Sequence, residues 1–407
     1  MKRLMLVGLI LCLLIVACSA ENSGESRQTP TQFAAASPSD APSATAAPAS
    51  PTSEPSPPPA TPTPIVAITP EATATPSPML PDLPAGWTKI DGGGEAICAR
   101  GTPYSFWVRP GTVNKLLIFF EGGGGCWDAA SCREGSTFFD DSVDEGDSPE
   151  RGAGIFDLDN PENPFKDYYM AYVPYCTGDV HMGNNVHTYT GENGEQVTIH
   201  FKGFVNGSTV LEWVYDHVGS PESIFVTGCS AGSVGSITFA PHVINHYQSS
   251  RVYQLGDSEA FVFGRPVDLQ TDWRAHDNFA SWIPALSQIK PGEWSAEAFY
   301  TAIAGYYPAH FFSQYNTAHD GVQQRFFYAA GGEGTWEDAL ESSLSEIQAS
   351  MPNFRSYLAG GNSHCILPFD SFYSRQSDGV RFRDWVAAIA EGQAVENVRC
   401  TQCDQAD

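Results

Sequence analysis

The sequence predicts an α/β fold, with a doubly wound, mostly parallel sheet and cap insertions, over residues 82–407. Three observations predict it. Runs such as Lys115-Leu-Leu-Ile-Phe-Phe120 are apolar after the lysine, as a parallel strand covered on both faces requires. Such runs alternate with stretches of helical period, as in Trp336, Leu340, Leu344, Ile347 and Met351. Glycine-rich turns follow two of the runs directly, at residues 122–125 and 228–232, where open α/β sheets place their sites.

Two segments precede the domain. Lys2 and Arg3 lead into an apolar run, Leu4 to Val16, too short for a membrane span. The run ends Ile15-Val16-Ala17-Cys18, which resembles a bacterial lipobox. The expectation is a signal peptide over 1–17, export, and lipidation of Cys18 as a membrane anchor. An ordinary secretory signal cut near Ala20 is the alternative. Residues 18–81 are rich in Ser, Thr, Pro and Ala and lack a hydrophobic period. They are expected to form an extended, disordered tether.

Composition narrows the partners. The chain has 407 residues, and 42% hydrophobic with 12% aromatic content suits a large core. The formal charge is −26, and only Glu21, Glu25, Asp40, Glu54 and Glu71 are acidic before residue 82, so the folded part carries the excess. Nucleic acid binding needs clustered Lys and Arg and is not expected. Polyanionic substrates would be repelled at low salt. A monomer is expected.

Within the domain, Trp87 is the first core anchor, Cys98 lies in an early strand, and Lys115–Phe120 is a buried strand. Tyr168–Tyr175 forms another strand, and its loop carries Asp179 and His181, read as polar residues at a site rim. Asn206–Val218 reads as a helix with Asn206 as N-cap. Ile224–Thr227 and Arg251–Leu255 read as strands. The aromatic region 264–312, including Tyr306, Tyr307, Phe311 and Phe312, reads as a cap or insertion over a pocket. Arg325–Ala329 and Phe354–Leu358 are expected as strands, with helices from Thr335 and over Val380–Ala390.

The stretch Gly228-Cys229-Ser230-Ala231-Gly232 is G-x-S-x-G, the nucleophile elbow of α/β-hydrolases. Its chemistry explains the spacing. Ser230 must sit on a sharp strand-to-helix turn with its hydroxyl exposed. Glycines on either side let strand and helix approach closely. The Ala231 N–H then faces the oxyanion formed when Ser230 attacks a carbonyl. The glycine run after Phe120 stands where such enzymes place the other half of that hole. The base should lie on a loop late in the chain. His364 does, whereas His242, His246 and His276 fall near the serine, and His310 and His319 precede the last strands. Asp257 and Asp320 are both candidates for the acid that orients it, and the residues leave that choice open.

Eight cysteines lie in the domain. Cys126–Cys132 reads as a local disulfide, and Cys98–Cys176 as a second. Cys365 is expected to bond Cys400 or Cys403, with Cys229 a buried free thiol. Cys400-x-x-Cys403 lacks a second ligand pair at zinc spacing, so no metal is expected.

Five blocks together resemble the pectin acetylesterase/Notum family of carboxylesterases. They are Phe120-Glu-Gly-Gly-Gly-Gly-Cys126, Val173-Pro-Tyr-Cys176-Thr-Gly-Asp179-Val180, Thr227-Gly-Cys-Ser230-Ala-Gly, Asp320-Gly-Val-Gln323 and Ser363-His364-Cys365. The resemblance runs in order from about residue 83 to 400. It implies Ser230 as nucleophile, His364 as base and Asp320 as acid, through its Asp-x-x-Gln setting. It further implies an oxyanion hole of Gly123, Gly124 and Ala231, a structural Asp257, and no cofactor. Two departures stand out. Ser233 replaces a second elbow glycine, and Gly124-Gly125 stands where animal members carry Trp-Tyr, which leaves a less bulky pocket rim.

The expected function is an exported serine carboxylesterase that removes acetyl or another short acyl group from carbohydrate hydroxyls. A lipase- or thioesterase-type acyl hydrolase is the first alternative. A catalytically silent surface glycan-binding protein is the second.

Overall fold

The computed structural model describes residues 83–262 and 269–404. The expected signal peptide, Cys18 and the expected tether lie outside the described residues.

The chain begins with β1 (Thr88–Asp91), β2 (Ser105–Arg109) and β3 (Lys115–Phe120), then α1 (Ala129–Cys132) and β4 (Tyr169–Val173). A ribbon of β5 (Asn185–Thr190) and β6 (Gln196–Phe201) leads into α2 (Gly203–His217). The central unit is β7 (Ser223–Cys229), α3 (Ala231–His246) and β8 (Arg251–Asp257). Then come α4 (Pro284–Gln288), α5 (Ala296–Tyr306), β9 (Phe311–Thr317), α6 (Gly321–Ala329), α7 (Trp336–Ser350) and β10 (Phe354–Ala359). The end of the chain carries α8 (Ser371–Ser374), β11 (Gln376–Ser377), β12 (Val380–Arg381), α9 (Phe382–Ala390) and β13 (Val398–Arg399).

Nine strands form the main sheet in the order β1-β2-β4-β3-β7-β8-β9-β10-β13. From β4 to β13 every neighbouring pair is parallel, and β2 joins β4 antiparallel at one edge. Chain order reverses around β3. It first moves outward to β4, then returns to β7 on the other side and continues to β10. The crevice beyond the carboxyl ends of β3 and β7 is therefore the topological switch point, where open α/β sheets bind ligands.

The two faces explain the continuous apolar runs. In β3, Leu116, Ile118 and Phe120 enter one core with Val210 and Val214 of α2, Ile237 and Phe239 of α3, and Leu344 of α7. Leu117 and Phe119 point the other way and pack with Trp385, Val386 and Ile389 of α9. A strand with period two that is buried on both sides has no polar positions to spare.

Several expectations change. Arg325–Ala329 is helix, not strand, because Asp320 caps α6 by accepting from the N–H groups of Val322 and Gln323 at 2.9 and 3.1 Å. The aromatic Phe326-Phe327-Tyr328 has strand propensity, but the cap decides. The strand instead lies earlier, in β9, where polar Ser313, Gln314 and Asn316 are buried and hydrogen-bonded. Helix α2 starts at Gly203, so Asn206 is no cap. Its side-chain amide donates to the Ile97 carbonyl at 3.0 Å. Trp273, Phe279, Trp294 and Phe299, from the region read as a cap, are buried in the α3-side core.

Cys98–Cys176 and Cys126–Cys132 are bonded as expected. The other pairings are corrected. Cys229 is not free; it bonds Cys365, and Cys400 bonds Cys403. The first of these spans 136 residues, and only the fold brings the two loops together. Four disulfides suit an oxidising, extracellular setting. Among the described residues, no helix is long and apolar enough to cross a membrane.

Candidate active site

Ser230 stands between β7 and α3 with φ 55° and ψ −124°, a conformation that non-glycine residues adopt only under constraint. Its N–H donates to the Asp257 carbonyl at 2.8 Å, which pins the turn to β8. Gly232 makes the turn possible. A Cβ there would overlap the Phe120 carbonyl and lie 2.7 Å from the Glu121 oxygen. Ala231 is the first residue of α3, so its N–H lies in the electropositive first turn.

The glycine run after β3 folds beside the serine. Gly124 has φ 77°, and any side chain there would strike the Phe138 carbonyl. Gly122, Gly123, Gly124, Ser230 and His364 line one cleft of about 920 Å³. Phe138, Phe326 and Phe369 form part of its wall, and Glu121, Asp140 and Asp147 give it an acidic side. Tyr306, Tyr307, Phe311 and Phe312 are not among the lining residues, so these aromatics, read as part of a cap, do not wall this cleft.

His364 lies on the loop between β10 and α8. Arg375, itself buried, donates to the Ser363 hydroxyl at 2.8 Å, and Thr317 donates to the Ser363 carbonyl at 2.5 Å. The His364 Nδ1–H donates to Asp320 Oδ2 at 2.8 Å. Asp320 is fully buried, and the Gln323 amide donates to the same oxygen at 3.1 Å. Burial pushes the His364 pKa down, but the Asp320 hydrogen bond and charge, with Glu259 and Asp257 nearby, outweigh it, so the net shift is upward.

Of the two carboxylates that spacing alone left open, Asp320, the one the family resemblance implied, meets the histidine. Asp257 does something else. Its Oδ2 accepts from the N–H groups of Ile366 and Leu367 at 2.9 and 2.8 Å, and its Oδ1 accepts from Ser258. Burial raises the Asp257 pKa to about 6 despite these bonds.

Asp179 and His181 are not at a rim. Both are buried. Asp179 accepts from Thr177 and from the Gly203 N–H at 2.6 and 2.8 Å, and so ties the loop to α2. The His181 Nε2–H donates to the Glu121 carbonyl at 2.9 Å, which supports the backbone just before the glycine run. Burial lowers the His181 pKa to about 4, so the ring is neutral at pH 7.

Two residues near the site were not singled out by the sequence reading. Glu121 is clamped by the Tyr172 hydroxyl at 2.7 Å and the Tyr175 N–H at 3.2 Å, and burial first, then Asp147, raises its pKa well above the usual range. Glu259 accepts from the Phe261 N–H at 2.7 Å, and desolvation raises its pKa to about 7. A carboxylate directly after a glycine-flanked strand was the one available signal for Glu121. Nothing in the sequence marked Glu259. Among the described residues, no group of three or more His, Cys, Asp or Glu side chains has a metal-binding arrangement.

A sequence model of the family described as Pectinacetylesterase matches residues 88–312. The chain is 31% identical over 150 residues to palmitoleoyl-protein carboxylesterase NOTUM of Schmidtea mediterranea, covering 34% of this chain and 26% of the relative. It is 24% identical over 182 residues to pectin acetylesterase 11 of Arabidopsis thaliana, covering 42% of this chain and 44% of that one. The match thus spans about a quarter of the first relative's length and under half of the second's. A solved structure of the Wnt deacylase Notum from Drosophila has the same fold, with TM-score 0.55 and 15% identity over 77% of this chain and 96% of that one.

Proposed function

The chain belongs to the pectinacetylesterase family, whose sequence model spans more than half of it, and on that premise we propose that it is an exported serine carboxylesterase acting on acylated carbohydrate hydroxyls. One observation carries the reading. His364, bonded at 2.8 Å to the buried Asp320, lines the same cleft as the strained Ser230.

In this reading Asp320 holds the His364 Nδ1–H, which leaves Nε2 as the acceptor for the Ser230 hydroxyl proton. Ser230 attacks the acyl carbonyl. The N–H groups of Gly123, Gly124 and Ala231 receive the developing oxyanion. As the bond from the acyl carbon to the sugar oxygen breaks, His364 gives the proton to that departing oxygen, and an acyl-enzyme remains on Ser230. Water, activated by the same histidine, completes hydrolysis. The upward shift at His364 reflects the stabilised imidazolium that this sequence passes through. Residues 82–407 form the catalytic domain, 18–81 the tether, and Cys18 the lipid anchor that keeps the enzyme at a membrane.

A second reading rests on cleft size. About 920 Å³ is far more than an acetyl group fills, which favours a longer acyl chain or a bound sugar beside the acetyl. The deciding experiment measures hydrolysis of p-nitrophenyl acetate, butyrate and palmitate, wild type beside Ser230→Ala. Preference for acetate, lost in the variant, supports the short-acyl esterase. Preference for palmitate moves the reading to a lipid deacylase. Equal rates in both proteins overturn the serine mechanism.

A further inference from the structure

The nucleophile and the base are joined twice outside the triad. Cys229 immediately precedes Ser230, Cys365 immediately follows His364, and the two are disulfide-bonded with Cα atoms 5.6 Å apart. Asp257 makes the second tie. Its carbonyl accepts from the Ser230 N–H at 2.8 Å, while its carboxylate accepts from the N–H groups of Ile366 and Leu367, at 2.9 and 2.8 Å. One residue thus holds the elbow with its backbone and the histidine loop with its side chain.

The two loops have reason to need this. Ser230 and Cys365 both have positive φ, 55° and 61°, in non-glycine residues, so neither conformation is locally preferred. The Asp320–His364 bond orients the imidazole but does not reach the elbow. Something else must set the separation between Ser230 and the imidazole.

We propose that Asp257 and the Cys229–Cys365 disulfide form a clamp that sets the distance between the nucleophile elbow and the histidine loop, making all three positioning residues for the Ser230–His364 pair. The inference rests on the esterase reading above. It also makes the enzyme sensitive to dithiols. Cys229 and Cys365 both line the cleft, so a small dithiol can reach them. Exchange breaks the S–S bond, leaves a thiol on each cysteine, and converts the dithiol to its own disulfide.

The test compares wild type, Cys229→Ser/Cys365→Ser, Asp257→Ala and Asp257→Asn on p-nitrophenyl acetate, with kcat and KM separated and a pH profile for each. Loss of the clamp is expected to lower kcat by about tenfold to a hundredfold with KM unchanged, because small misplacements of reacting groups cost that much. The acid limb of the pH profile should stay in place in the cysteine variant, since the Asp320 bond remains. Asp257→Asn should restore much of what Asp257→Ala loses, because its amide oxygen can still accept. A disulfide with only a structural role would lower the melting temperature and leave kcat per folded molecule intact, which overturns the proposal.

If the cysteine variant does not fold, stepwise reduction of wild type by dithiothreitol replaces it, with alkylated cysteines mapped by mass spectrometry. Turnover that falls with Cys229 and Cys365 alkylation, before near-ultraviolet circular dichroism changes, supports the clamp. Turnover that survives their alkylation overturns it. A wild type inactive on acetate, butyrate and palmitate esters alike overturns the esterase reading and the clamp together, whereas an active wild type with an equally active variant overturns the clamp alone.

Discussion

Asp320 and His364 are 44 residues apart in sequence, yet the carboxylate oxygens of one lie 2.8 and 3.1 Å from Nδ1 of the other. The same carboxylate caps α6, so the helix that holds Asp320 in place starts at the residue bonded to His364. Asp320→Asn should therefore damage catalysis more than stability. Turnover of p-nitrophenyl acetate is expected to fall by about 10³- to 10⁴-fold, since an amide favours the wrong histidine tautomer. Because asparagine is also a good N-cap, the melting temperature should change little. A steady-state assay beside a thermal melt checks both.

The pH profile follows from the shift at His364. The base must be neutral to accept a proton, and its pKa is raised by Asp320 above the ordinary histidine value. Activity should therefore fall on the acid side at a pH above about 6.5. In Asp320→Ala, burial acts without its main opponent, so the residual activity should show an acid limb at lower pH. A limb that does not move would sink the assignment of Asp320.

Stability should change with pH in the direction set by the buried acids. Burial raises Asp147, Asp179 and Asp257 to about 6 and Glu259 to about 7, so each is harder to ionise folded than unfolded. Such groups favour folding when protonated, and that stabilisation is lost as pH rises through the folded pKa. The melting temperature should thus be higher near pH 6 than near pH 8. His181, His242 and His310, lowered to about 4, work in the opposite direction as pH falls below the ordinary histidine range. They limit the gain on further acidification. A scan of melting temperature against pH tests this.

Gly232→Ala should fail in a place where alanine normally helps. A helix interior gains up to about 1 kcal/mol from such a change. Here the new methyl would meet the Phe120 carbonyl oxygen, with its carbon at 2.5 Å and the Glu121 oxygen at 2.7 Å, all of it backbone that cannot rotate away. A destabilisation of about 3 kcal/mol or more is expected from denaturant unfolding. Wild-type stability in the variant would refute the close-approach argument.

Trp385→Ala tests the second core. Trp385 is 3% exposed, packs on Tyr357 and Phe382, and donates to the Glu396 carbonyl at 2.9 Å. Truncation should cost about 3 to 5 kcal/mol. The residue does not line the cleft, so kcat of the folded fraction should match wild type.

Much of this was legible from residue order. The continuous apolar run Lys115–Phe120 and the glycines after it marked a buried strand entering a site, because both requirements are local. The elbow was legible for the same reason: Gly228, Ser230 and Gly232 answer constraints within five residues. Helix α6 reads locally as a strand because Phe326-Phe327-Tyr328 has strand propensity, which the Asp320 cap overrides. β9 was missed because its polar Ser313, Gln314 and Asn316 find hydrogen-bond partners only in the folded core, on β8, on one another and on Gln323 of α6.

The chain's residue pattern alone sufficed for the α/β class, the acidic surface, the local Cys126–Cys132 bridge and the positions of Ser230 and His364, since spacing and periodicity express short-range constraints. The Cys229–Cys365 bond and the burial of His181 were decided by tertiary structure, as was the contact of Asp320 rather than Asp257 with His364, which the family resemblance implied but spacing and periodicity left open. Each depends on which strand ends become neighbours in the sheet. β7, β8, β9 and β10 are adjacent and parallel, so their carboxyl ends bring loops far apart in sequence to one crevice. Contacts between such loops cost chain entropy that only the packed sheet offsets, and no local pattern encodes them.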